Sequence, residues 1–98
     1  MLKEYRKYLP EIVRTCRRVL GECEVYVFGS ILDAYTGGSD IDVLICSRNL
    51  PKKLIDRARI IAEIESVLPV FHPFEFHLVT EEEFEFYKRH VEKLERIS

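Results

Sequence analysis

The fold is constrained most by two short apolar segments that are separated by a connection rich in glycine and serine. Glu24–Phe28 (EVYVF) and Asp40–Cys46 (DIDVLIC) consist largely of β-branched, aromatic and other apolar residues, so each is predicted to form a β-strand. Parallel neighbours need a crossover connection of about a dozen residues or more. The intervening stretch is too short for a full crossover helix, and we predict that the two strands pair antiparallel.

Within this connection, Ile31–Tyr35 could form one or two helical turns, and Thr36–Ser39 has the composition of a turn. A first helix precedes the strands. Its apolar residues recur mostly at steps of three and four, and Gly21 is its predicted end. Pro10 lies inside this pattern, so the helix is either kinked there or begins there. The apolar residues of the first helix are Tyr5, Leu9, Ile12, Cys16, Val19 and Leu20.

The second half of the chain contains a helical pattern, a strand pattern and another helical pattern. Lys52–Leu68 is predicted to be a surface helix, and Phe74–Val79 (FEFHLV) a third strand. Thr80 and Glu83 have the spacing of a capping box at the start of the last helix. The predicted buried faces are Leu54, Ala58, Ile61, Ile64 and Leu68 in the middle helix, and Phe84, Tyr87, Val91 and Leu94 in the last.

The resulting order is α-β-(α)-β-α-β-α, which predicts an α+β fold: a small mixed sheet flanked by helices, here expected on one face. Ninety-eight residues suit a single domain, which we expect over residues 1–98.

A 47% hydrophobic and 33% charged composition is typical of globular domains. The net charge of −2 argues against binding long nucleic acid, and no apolar run could span a membrane. The N-terminal residues do not resemble a signal peptide, and an odd number of cysteines, three, does not suit a disulfide framework. We therefore predict that the chain is cytoplasmic.

Two aspartates at the start of the second strand are the main chemical feature. Asp40 and Asp42 are two residues apart, so they project from the same face of the strand, about 6–7 Å apart at Cα. Like charges this close repel one another, and a divalent cation relieves the repulsion. Carboxylate oxygens suit Mg²⁺, which usually completes its coordination with water and substrate phosphate.

Gly29-Ser30 supplies a complementary feature at the end of the first strand. The glycine permits close approach of the backbone to a ligand, and the Ser30 hydroxyl can hydrogen-bond a phosphate oxygen. The short connection brings Ser30 near Asp40, so a phosphate site and a metal site are predicted at one corner of the sheet.

These residues resemble the pattern of the DNA polymerase β-type nucleotidyltransferase superfamily: hydrophobic-Gly-Ser, about ten residues, then Asp-hydrophobic-Asp-hydrophobic. Over residues 10–90 the chain is similar to the minimal nucleotidyltransferases, which form MNT–HEPN pairs in archaea and bacteria. The resemblance implies two Mg²⁺ ions and transfer of a nucleoside monophosphate, AMP from ATP, to a hydroxyl. Gly29 and Ser30 would then hold the triphosphate, and Asp40 and Asp42 the metal.

The same resemblance implies a third carboxylate, which helps the acceptor hydroxyl to lose its proton. Glu75 is its candidate, because it is the only acid within the third strand and faces away from Phe74 and Phe76. Family members more often have Asp at this position. A second departure is Asp33-Ala34, where many members carry a basic residue followed by glycine.

Alternatives remain at this stage. The resemblance implies a HEPN toxin as the acceptor, modified on a tyrosine. The chain could instead be a catalytically weak NTP- or metal-binding module that neutralises a partner by contact, or a transferase acting on a small molecule or an RNA end. A homo-oligomer is also compatible with the sequence.

A zinc site of His72, His77 and Cys46 fits no common spacing, although His77 shares a strand face with Glu75. The C-terminal phenylalanines could leave an aromatic patch exposed for a partner.

Overall fold

The computed structural model describes residues 6–28, 41–91 and 94–98. These residues form three helices and four strands, in the order α1, β1, β2, α2, β3, α3, β4. The helices are α1 (Leu9–Leu20), α2 (Leu54–Glu65) and α3 (Glu81–His90), and the strands are β1 (Glu24–Phe28), β2 (Ile41–Cys46), β3 (Phe74–Val79) and β4 (Leu94–Arg96). The predicted helical turn at 31–35 and turn at 36–39 lie outside the described residues. No helix within the described ranges is long and apolar enough to cross a membrane.

The four strands form one mixed sheet in the order β3-β2-β1-β4. The predicted antiparallel pairing of β1 with β2 is confirmed, and Phe28 lies opposite Asp42 in this pair. β2 and β3 are parallel, with Asp42 beside Glu75, and α2 provides their crossover. β4 pairs antiparallel with the other edge of β1. The predicted α+β class and mixed sheet are therefore confirmed.

The two faces of the sheet contact different helices, so the expectation that all helices lie on one face is wrong. One face packs against α1 and α2 and forms the larger core, with fully buried Val27, Val43 and Ile45. The opposite face carries a smaller cluster in which Phe84 of α3 stacks near Tyr26, with ring centroids 4.7 Å apart. Because strand side chains alternate between faces, β2 contributes apolar residues to both.

Helix α1 begins and ends as its sequence suggests. Pro10 lies in the first turn, where a proline removes no helical hydrogen bond, so the alternative of a start near Pro10 holds and a mid-helix kink does not. Gly21 closes the helix with a positive φ of 79°, and its N–H donates to the Arg17 carbonyl at 2.9 Å. This left-handed conformation strains residues that carry a Cβ.

The buried face of α2 agrees with the predicted one only in the second half of the helix. Ile64 is buried and Ile61 packs against the core as predicted, whereas Leu54 is 80% exposed and Ala58 is also exposed. Ile60 is buried although it was not predicted to be. The helix starts at Leu54, two residues later than predicted, and only its second half is packed against the core. Its apolar residues therefore outnumber those that the neighbouring helix and sheet can cover.

The C-terminal segment departs most from prediction. The capping box of Thr80 and Glu83 is confirmed, with both reciprocal hydrogen bonds present. However, α3 ends at His90, and Leu94 belongs to β4 rather than to the helix. Leu94 pairs in register with Phe28 and packs against the smaller cluster, so an open edge of β1 gains a partner. A three-residue strand is too short to show the alternation of buried and exposed residues that marks a strand. The spacing of three residues between Val91 and Leu94 is also a helical spacing, which is why Leu94 was assigned to the helix.

Candidate metal centre

Three polar side chains meet on the α3 face of the sheet, near the start of β2 and β3. Asp42 and Glu75 are neighbours because the parallel register places them side by side, and His77 follows on the same face of β3. One potential ligand atom from each of Asp42, Glu75 and His77 lies within 4.8 Å of the others. Parallel pairing has therefore joined residues that are more than thirty positions apart in sequence.

Asp42 and His77 are hydrogen-bonded. The Nε2 atom of His77 lies 3.0 Å from Oδ1 of Asp42, and both side chains are roughly one-quarter exposed. An ionised carboxylate can only accept hydrogen bonds, so Nε2 carries the proton in this contact. Glu75 is exposed, which leaves its carboxylate accessible to a ligand from solvent. The imidazole thus orients one carboxylate while the other stays open.

An aromatic wall borders the three polar groups. The Phe28 ring centroid lies 5.6 Å from that of His77 and 5.9 Å from that of Tyr87, and His77 and Tyr87 are 6.4 Å apart. Phe28 comes from the end of β1 and Tyr87 from α3. Apolar surface on one side of the carboxylates lowers their access to water, which strengthens their interaction with a cation.

The predicted site residues are partly described. Asp42 and Glu75 come together as expected, and Glu75 faces away from buried Phe74 and Phe76. Asp40, Gly29, Ser30 and the Asp33-Ala34 pair lie outside the described residues. The pairing of Phe28 with Asp42 nevertheless brings the end of β1 to the start of β2, so the residue preceding Gly29 is at the predicted corner.

His77 was a weaker expectation than the carboxylates. The sequence places His77 on the same strand face as Glu75, where it could line the site, but its pairing with Asp42 depends on the alignment of β2 and β3. Among the described residues, His77 groups with Asp42 and Glu75, and not with His72 and Cys46 as the zinc site considered above would require. His72 instead contacts Glu65 at 3.0 Å and accepts from the Phe74 N–H.

The donor set fits a divalent cation. Two carboxylates from adjacent strands supply hard oxygen ligands, and these lie within 4.8 Å of one another. Two oxygens bound to one Mg²⁺ are at most about 4.2 Å apart, since Mg–O bonds are about 2.1 Å, so a small side-chain movement would bring both carboxylates onto one ion. Imidazole nitrogen is a softer donor, more often used for transition metals. His77 therefore fits better as the hydrogen-bond partner of Asp42 than as a Mg²⁺ ligand.

Comparison with known proteins agrees with the fold. Residues 6–97 match the family model of the nucleotidyltransferase domain. A crystal structure of a candidate nucleotidyltransferase superimposes with a TM-score of 0.75 at 29% identity, covering 93% of this chain and 98% of the other. A candidate nucleotidyltransferase from Sulfolobus solfataricus, at 21% identity, has the same fold with a TM-score of 0.69, covering 97% of this chain and 80% of the other. No curated protein sequence matches significantly. Because the family model spans nearly the whole chain, this protein belongs to the nucleotidyltransferase domain family.

Proposed function

We propose that this protein transfers AMP from ATP to a hydroxyl group of a partner protein of the HEPN type, with Mg²⁺ as cofactor. The family supports nucleotidyl transfer in general, and family members use divalent metals. The observation that carries the proposal is the meeting of Asp42 and Glu75 on adjacent strands, with an accessible face toward solvent.

Each site residue has a proposed role. Asp42 and Asp40 would hold the cation, and Glu75 would contribute to the same site and accept the proton of the acceptor hydroxyl. When bound, two divalent ions would neutralise triphosphate charge and make the hydroxyl a better nucleophile. The hydroxyl oxygen would bond to the α-phosphorus of ATP, the bond from that phosphorus to the β-phosphate oxygen would break, and pyrophosphate would leave. Gly29 and Ser30 would bind the triphosphate through backbone N–H groups and the serine hydroxyl.

His77 has a positioning role in this proposal. Its hydrogen bond holds the Oδ1 atom of Asp42, which limits the rotation of that carboxylate. Such support commonly improves metal affinity and activity by one or two orders of magnitude. Phe28 and Tyr87 would restrict water on the neighbouring side of the site.

A protein acceptor is supported by the exposed aromatic surface beside the site. Phe86 is 53% exposed, its ring lies 4.1 Å from that of His90, and it is 6.0 Å from Tyr87 of the aromatic wall. Phe86, His90 and Tyr87 thus form a contiguous aromatic surface that reaches the aromatic wall, and such contiguous exposed patches are typical of protein interaction sites. The resemblance to minimal nucleotidyltransferases suggests that this partner is a HEPN toxin and that its modification neutralises it, in the cytoplasm.

The test is a transfer assay with ATP labelled at the α-phosphate, Mg²⁺ and a HEPN-type protein sought among the products of the adjacent genes. We expect label on a tyrosine of the partner, loss of transfer in Asp42→Asn, and no change in Asp56→Asn, a matched substitution on the surface of α2. Equal labelling by wild type and Asp42→Asn would overturn the proposal. Parallel reactions with CTP, GTP and UTP, and with Mn²⁺, test the nucleotide and the metal.

A catalytically weak binding module is the second candidate, favoured by Asp33-Ala34, where many members of the resembled family carry a basic residue followed by glycine. In that case, Asp42→Asn would neutralise the partner as well as wild type does, although no label is transferred. A transferase acting on an RNA end or a small molecule would instead label that substrate without any partner protein.

A further inference from the structure

A groove on the far side of the molecule from the acidic residues lies between α1 and β4. It encloses about 750 Å³ and combines an apolar floor with a charged rim. Leu9 and Val13 of α1 and Ile97, just after β4, provide the floor. We call this feature the α1–β4 groove. Its rim contains four arginines: Arg6, Arg14, Arg17 and Arg96.

The rim is strongly basic on a protein whose net charge is −2. Among the described residues that line the groove, Glu95 is the only acid, and Arg6 pairs with it at 2.8 Å. This hydrogen bond holds the pKa of Glu95 below its usual range. Arg14 and Arg96 keep most of their side-chain surface exposed despite ion pairs with Glu11 and Glu24. Positive charge thus exceeds negative charge in the groove, which favours an acidic ligand.

A strand edge forms one wall of the groove. In the described part of the chain, β4 is the last strand of the sheet, and its hydrogen bonds with β1 use one edge only. Helix α1 forms the opposite wall. A strand edge flanked by a helix suits an extended peptide, because the peptide can pair with the edge while its side chains contact the groove.

We propose that the α1–β4 groove binds an extended acidic segment of a partner protein, which adds to the sheet beside β4. Because the side chains of a strand alternate between the two faces of a sheet, every second side chain of such a segment would face α1, where carboxylates can pair with Arg14 and Arg17, and the intervening apolar side chains would lie on the other face. Arginine is well suited to this role because its planar guanidinium pairs with carboxylates through two hydrogen bonds.

Two other occupants fit less well. Single-stranded nucleic acid binds through aromatic stacking as well as charge, and none of the residues reported to line the groove is aromatic. A second copy of this chain could offer the acidic residues Glu81–Glu83, but these form the first turn of α3 and are not available as an extended strand. The experiments below also measure binding of a nucleic acid and formation of a dimer.

The groove is separate from the candidate metal centre. The metal centre lies on β2 and β3 and the groove lies between α1 and β4, so two to three strand spacings, or about 10–14 Å, separate β4 from the strands of the metal centre. The proposal does not rest on the proposed function, and its failure would leave nucleotidyl transfer untouched.

The probe is a fluorescein-labelled peptide with the repeat Glu-Val-Glu-Val-Glu-Val, measured by fluorescence anisotropy with the full chain at 50 and 200 mM salt. We expect micromolar affinity, at least tenfold weaker binding of the Gln-Val version, and weaker binding at the higher salt. A Glu-Val peptide with alternate backbone nitrogens methylated keeps its charge but loses edge pairing, and should bind at least fivefold more weakly.

Charge reversal on the protein provides the second arm. Arg14→Glu should weaken binding of the Glu-Val peptide at least fivefold. Arg59→Glu is the matched control, because Arg14 and Arg59 are 70% and 77% exposed and each pairs with an acid three residues earlier in its helix. It should change the affinity less than twofold. Circular dichroism checks that both variants fold, and Arg14→Gln replaces Arg14→Glu if the latter does not.

Three results would overturn the proposal. The first is equal affinity of the Glu-Val and Gln-Val peptides, or of the Arg14 variant and wild type. The second is binding of oligouridylate as tight as that of the peptide, which would make the groove a general anion site. The third is a dimer in analytical ultracentrifugation that Arg14→Glu dissociates, which would make a second copy the occupant.

Discussion

The two faces of the sheet use the same strands but are completed in different ways. The face toward α1 and α2 is apolar along its length, with Val27, Val43 and Ile45 fully buried. The face toward α3 is apolar only where Phe84 covers it, and at the start of β2 and β3 it carries carboxylates. One face therefore supplies most of the packing, and the other can keep polar groups that oppose packing.

This division explains how a small domain can hold two neighbouring acids. Asp42 and Glu75 repel one another and contribute nothing to the apolar core, so the α1–α2 face must compensate for their cost. Functional sites often retain residues that local packing would not select. Each prediction below tests whether the two faces are specialised in this way.

The largest effect is expected for the reaction itself. Asp42→Asn keeps the size of the side chain but removes its charge, and should lower the rate of nucleotidyl transfer about 10³-fold, or about 4 kcal/mol in activation free energy. The rate is measured by label transfer from ATP, and stability by urea unfolding. A variant that loses both activity and several kcal/mol of stability would contradict the separation of the faces.

The next largest effect is expected in the α1–α2 core. Ile64→Ala removes a fully buried side chain and should reduce the free energy of unfolding by about 2–5 kcal/mol. Ile55→Ala in the same helix is the control, because Ile55 is 60% exposed, and should cost much less. Similar losses for both variants in urea unfolding would show that α2 does not complete this core.

Alkaline pH should weaken both faces. Burial raises the pKa of Cys16 to about 12 and that of Cys46 to about 11, and burial with the hydrogen bond to Glu24 raises that of Tyr26 to about 12. These groups are neutral in the folded state at pH values where the unfolded chain ionises, so their contribution is complete below pH 9 and is lost as pH rises toward 12. We expect a loss on the order of 3 kcal/mol by pH 10, measured by urea unfolding under reducing conditions. Unchanged stability from pH 8 to 11 would contradict this.

A smaller effect is expected at the start of α3, which covers the second face. Thr80→Ala removes the side chain that accepts from the Glu83 N–H and should cost about 1 kcal/mol. Thr80→Ser retains the hydroxyl and should lose less than half as much. If Thr80→Ala leaves urea unfolding unchanged, α3 does not depend on its cap.

The smallest effect on stability is expected at Glu75. Glu75→Gln removes a charge that repels Asp42 and should change the free energy of unfolding by less than about 0.5 kcal/mol in metal-free protein, in either direction. Mg²⁺ or Mn²⁺ should raise the melting temperature of wild type more than that of this variant, because a ligand that binds only the folded state stabilises it. Equal increases in melting temperature for wild type and Glu75→Gln would show that Glu75 does not bind the metal.

The sequence predicted more of the secondary structure than of its assembly. The bounds of β1 and β3, the end of α1 at Gly21 and the capping box at Thr80 follow from local residue chemistry, and each is confirmed. The buried face of α2 was wrong at Leu54 because exposure there depends on how far the neighbouring elements extend. The strand at Leu94–Arg96 was missed because it exists only through pairing with β1.

The candidate site shows the same limit. Asp42 and Glu75 were identified from residue type and strand alternation, which are properties of short segments. Their proximity to His77 and the aromatic wall required the parallel register of β2 with β3 and the packing of α3, which no local pattern specifies. The α1–β4 groove was not predicted at all, because its walls come from opposite ends of the chain.

The sequence by itself therefore determined the strands, the main helix signals and the carboxylates at the start of β2 and within β3, because propensity, capping and alternation act over a few residues. Tertiary structure decided which residues meet: His77 with Asp42, Leu94 with Phe28, and Arg6 with Glu95 of β4. The physical reason is that these contacts join distant segments, and their stability depends on burial and strand pairing that exist only after the chain has folded.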